Sequence, residues 1–119
     1  MNVVGTLYDP DLRRVLDAEN QRIGLKLDYK TDQDDPEAWF SRSDHYAFAI
    51  KGVPMVLFNT GEHPDYHTAN DTWDRINYPK IEKITRLIYL SAQTLANSPT
   101  RPRFVSGNTA PTPSTGGVR

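Results

Sequence analysis

Residues 52–61 read GVPMVLFNTG. The run 53–59 is continuously apolar, and Gly52 and Gly61 bound it. A run of that length between glycines suits a buried strand. Pro54 falls near the strand start, where its missing N–H costs least. The reading of every neighbouring segment follows from this strand.

Upstream, SDHYAFAIKG (43–52) predicts a short helix capped by Ser43 and ended by Gly52. KTDQDDPEAWFSR (30–42) is acidic and reads as a surface loop. Its acids lack the alternating ligand spacing and the glycine of a calcium loop. LKLDY (25–29) alternates like a strand. DPDLRRVLDAENQRIG (9–24) predicts a helix, with Asp9 as N-cap, Pro10 just inside and Gly24 as the stop. NVVGTLY (2–8) is half apolar and predicts a further strand.

Downstream, residues 60–76 have no period and predict a long loop, which is where sites concentrate. NYPKIEKITRLIYLSAQTLANS (77–98) predicts an amphipathic helix. Asn77 caps it, and Ile81, Ile84, Ile88, Ala92 and Leu95 recur near the helical period. From about residue 100 proline, glycine, serine and threonine dominate, which predicts disorder. The expected architecture is therefore an α/β layered domain over residues 1–98, with three strands and three helices, followed by a disordered tail over 99–119.

The chain has 119 residues, a formal net charge of −1 and no cysteine. One small domain is the upper bound. The charge balance gives no reason to expect nucleic acid or an acidic membrane as partner. Without cysteine there is neither a disulfide framework nor a thiolate zinc site. No apolar run is long enough for a membrane span. The first residues, MNVVGTLYDPD, lack a basic start followed by an apolar stretch, so no export leader is expected within this chain. The compartment stays open.

The candidate chemistry lies in HPDYHTANDT, residues 63–72. His67 reads either as a metal-ligating imidazole or as an exposed loop histidine. His63 stands four residues before it, but Pro64 disfavours the regular helix that would place both on one face. Asp44 reads either as a carboxylate that orients a ligand imidazole or, with Ser43, as a helix cap. Tyr66 reads either as a hydrogen-bond donor to a developing oxyanion or as a half-buried packing residue.

Taken together, S-D-H at 43–45, the G-V-P strand at 52–54, Y-H-T-A-N-D-T at 66–72 and the long helix resemble the zinc metallopeptidases of family twenty-eight. That family includes bacterial leucyl aminopeptidases and glutamate carboxypeptidases. The similarity runs over residues 2–98 and is strongest at 43–76. It implies a C-terminal half of the domain, with His67 as a zinc ligand, Tyr66 steadying the tetrahedral intermediate and Asp44 hydrogen-bonding beside the centre. The complete family domain holds two zinc ions and acts on peptides. Its other ligands and its general-base glutamate come from a preceding half, and no histidine stands upstream of residue 45 here. The resemblance therefore implies a fragment of an aminopeptidase-like exopeptidase that is inactive alone. The missing half, or self-association, would be its partner. Relatives are often exported. The alternative function is a non-catalytic binding module built on the peptidase fold.

Overall fold

The structure, a computed structural model, describes residues 1–104. Residues 105–119, most of the expected disordered tail, lie outside the described residues. The elements are strand β1 (Asn2–Val4), helix α1 (Pro10–Ile23), helix α2 (His45–Ala49), strand β2 (Leu57–Asn59) and helix α3 (Tyr78–Ala96). The domain is α/β, as expected, but its sheet is smaller than the sequence suggests. Among the described residues β1 and β2 form a two-stranded antiparallel sheet, with Val3 opposite Phe58 and Val4 opposite Leu57.

That register explains the layers. Side chains alternate across a strand, so neighbours face opposite ways. Val3 packs with Leu16 of α1, Leu87 of α3 and Phe58. Val4 packs with Trp39, Phe40, Ala49 of α2 and Leu57. Two adjacent valines, both almost fully buried, thus seed two cores on opposite faces of one short sheet.

Three strand expectations need correction. The first strand stops at Val4 instead of running to residue 8, because Gly5 turns with φ 106°. A 3-10 turn over Thr6–Tyr8 follows it. The Asp32 carboxylate holds this turn, accepting from Gly5 N, Thr6 Oγ1 and Leu7 N. The 53–59 run is half-buried, and only Leu57–Asn59 is paired. Pro54 has no N–H to give a ladder, and the three residues of β1 offer no longer partner. Segment 25–29 keeps the predicted alternation, with Leu25, Leu27 and Tyr29 against the core. Its backbone pairs with β1 at a single parallel Asn2–Asp28 bridge among the described residues, through Val3 N–H to Asp28 O at 2.8 Å and Asp28 N–H to Met1 O at 2.9 Å.

The end signals of α1 and α3 survive folding, whereas Ser43 does not cap α2, which is only His45–Ala49 with Asp44 at its N-cap and no side-chain capping bond. The Asp9 carboxylate accepts from Asp11 N and Leu12 N, and Gly24 at φ 74° closes α1 by donating to Asn20 O at 2.7 Å. Asn77 Oδ1 accepts from Lys80 N at 3.1 Å at the start of α3. The buried line of α3 differs from the predicted stripe. Leu87 and Ser91 are buried and Ile84 and Leu95 of the stripe half-buried, whereas Ile81, Ile88 and Ala92 are exposed. At 3.6 residues per turn the buried line is rotated by roughly 80° from the stripe's centre. The cause is α1, which lies beside α3 and draws the Leu87–Ser91 line inward, with Thr94 Oγ1 donating to Glu19 Oε1 at 2.8 Å. None of the helices is long and apolar enough to cross a membrane, among the described residues.

Phe104 lies inside the stretch expected to be free, yet it packs on the Val4 core, edge-on to Tyr8 with ring centroids 6.2 Å apart. Phe104→Ala is therefore expected to cost about 1 kcal/mol, part of the value of a fully buried phenyl ring. Urea denaturation checks this. An unchanged midpoint would show that the contact contributes nothing.

Candidate active-site edge

The candidate residues follow β2 directly. Asn59 ends the strand, and its Oδ1 accepts from Gly61 N, forming an Asx turn. Gly61 at φ 86° reverses the chain there. The loop then folds on itself through Tyr66 N–H to His63 O at 2.9 Å and Thr68 N–H to Asp65 O at 3.0 Å. Two ion pairs tether it. Arg75, just before α3, pairs with Asp65, and Arg42 Nη2 reaches Glu62 Oε1 at 3.2 Å. Arg42 also lies over the Trp39 ring, 4.4 Å from its centroid.

His67 adopts φ 58°, the left-handed region that a non-glycine residue enters at a cost of about 1 kcal/mol or more. The turn sets its ring against Tyr66, with centroids 4.0 Å apart and planes tilted by 51°. Tyr66 is half-buried and His67 exposed. Both line a cavity of about 430 Å³ whose other walls are Trp39, Arg42, Ser43, Leu57 and Asn59. Strand end, loop and the approach to α2 thus converge on one recess.

The two histidines open onto different cavities. His63 lines a second one, about 590 Å³, between the loop and the start of α3. There its Nε2 is 3.9 Å from Asp71 Oδ2. His45 does neither: its Nε2 meets the Phe40 carbonyl at 2.9 Å. Asp44 is exposed at the N-cap of α2 without a side-chain capping bond, and the Tyr66–His67 cavity is walled by Ser43 in its place. Burial raises the phenol pKa of Tyr8, helped by Asp32, and that of Tyr29, helped by its hydrogen bond to Asp17.

Trp39, Arg42 and Asn59 were not singled out from the sequence, and Ser43 was read only as a helix cap. An asparagine closing an apolar strand two residues before a glycine was the one available signal. Arg42 and Trp39 come from a segment that reads only as an acidic loop.

The model of peptidase family M28 matches residues 3–92, most of the chain. The chain belongs to peptidase family M28. Comparisons with curated proteins and with solved structures gave no match. M28 peptidases are generally zinc-dependent. A catalytic zinc takes about three protein ligands. Among the described residues of this M28 chain, no group of three histidine, aspartate, glutamate or cysteine side chains converges on one point. His67 alone, beside Tyr66 in an open recess, does not make a zinc site.

Proposed function

We propose that this chain carries one edge of an M28 exopeptidase centre, the edge that bears the last metal-binding histidine of a peptide-cleaving domain. One observation supports the reading: Tyr66 and His67 share a recess at the C-terminal end of β2. In this reading His67 donates a single imidazole to a centre whose remaining ligands come from the preceding half of an M28 domain. The Tyr66 phenol donates a hydrogen bond to the substrate carbonyl oxygen as negative charge develops on it. Asp44, next to the Ser43 wall, is the proposed carboxylate that orients the imidazole. The strained backbone at His67 fits a residue held for function rather than for stability. A non-catalytic binding module is the second reading, favoured by the exposed apolar face of α3.

The chain alone, with zinc added, is expected to hydrolyse aminoacyl-anilides no faster than its His67→Ala variant. In a zinc titration followed by NMR, the His67 ring signals should move and those of His63 should not. Zinc-dependent turnover that disappears in His67→Ala would show that the chain suffices as an enzyme. Movement of His63 in place of His67 would reassign the ligand.

A further inference from the structure

The mismatch on α3 leaves a seam. Tyr78, Ile81, Thr85, Ile88, Ala92 and Leu95 follow each other at spacings of three and four residues, the spacing of a coiled-coil interface. Packing against α1 and the sheet uses the neighbouring Leu87–Ser91 line, so the seam faces outward from Tyr78 to Ala92 and is half-buried at Leu95. Tyr78 is 54% exposed, Ile81 49% and Ile88 43%. Beside it stand Trp73, 74% exposed, Ile76 and Tyr89. The Tyr78 hydroxyl donates to the Trp73 carbonyl at 3.0 Å, which fastens that turn to the first turn of the helix. With large side chains of roughly 150–250 Å² each, the uncovered apolar area is on the order of 600 Å². That is at the upper end of what a monomer leaves open, about 300–600 Å², and near the roughly 800 Å² per partner of a stable interface.

We propose that this seam pairs with the same seam on a second copy of the chain, helix against helix, antiparallel. Its side chains are self-complementary in that direction. A two-fold axis between residues 86 and 87 sets Ile81 against Ala92 of the second copy, Thr85 against Ile88 and Tyr78 against Leu95. Each layer then puts a large side chain opposite a smaller or more pliant one, and each contact occurs twice, as a two-fold interface requires. Charge raises no obstacle. Glu82, which borders the seam, is already paired with Arg86 at 3.5 Å. The chain's net charge of −1 brings little repulsion between copies.

Sedimentation equilibrium of the full chain over a dilution series tests this. The expected mass rises to twice that of the chain, and Ile88→Glu holds it at the monomer value. Ile88 is half out of the core, so circular dichroism should be unchanged in that variant. The absence of native cysteine makes cross-linking a second, independent readout. Oxidising a mixture of Ile81→Cys and Ala92→Cys chains should join one of each. Ile81→Cys alone should stay uncross-linked, because antiparallel pairing holds its two copies about 16 Å apart along the axis at 1.5 Å per residue. A chain that stays monomeric, a dimer untouched by Ile88→Glu, or efficient Ile81–Ile81 cross-linking would each overturn the proposal.

Discussion

Gly5→Ala is expected to destabilise the domain by several kcal/mol and to leave little folded protein at 37 °C. Two independent penalties coincide there. The backbone sits at φ 106°, where an L-residue is strained by about 1–3 kcal/mol. An added Cβ would also lie 2.5 Å from the Met55 carbonyl oxygen and 2.9 Å from its sulfur. The near atom is backbone, so relief requires pulling the 53–56 segment away from β1, and overpacking of this kind costs a further 1–3 kcal/mol or so. Gly24→Ala is the control. Its φ of 74° carries the conformational penalty, but a Cβ there meets nothing within 4 Å. Thermal melts of both variants separate the two terms. Equal losses would mean that the Gly5–Met55 approach has no energetic weight.

Leu87→Ala should cost about 2–5 kcal/mol, the range for emptying a packed leucine site. Leu87 has no exposed surface and joins Val3 of the sheet to Leu16 of α1. Against a total stability of roughly 5–15 kcal/mol for a domain, that is a large fraction. Ile88→Ala, one residue on, should cost less than about 1 kcal/mol when measured at a dilution that keeps the chain monomeric. Urea denaturation of the two variants decides which face of α3 is inside. A heavier loss at Ile88 would return the helix to the orientation suggested by its apolar spacing.

Much of the local structure was legible before folding. Asp9, Pro10 and Gly24 mark the ends of α1, and Asn77 marks the start of α3, because caps act through bonds to residues two to four positions away. The two-residue alternation at 25–29 likewise predicts which side chains turn inward. The order S-D-H, G-V-P, Y-H-T carries the family, and the match to peptidase family M28 agrees with it.

Tertiary contacts decided the rest. A strand's length depends on what its partner can offer, so the apolar run at 53–59 pairs over three residues only. A wide apolar stripe on a helix allows several rotations, and contact with α1 selected the one that buries Leu87 and leaves Ile88 out. The recess behind Tyr66 and His67 draws on residues 39, 42, 43, 57 and 59, and no local pattern announces such a meeting. By itself the sequence determined the ends of α1, the start of α3, the alternation at 25–29 and the family. The extent of the sheet, the free face of α3 and the company His67 keeps were decided by packing, because each depends on residues distant in the chain competing for the same space.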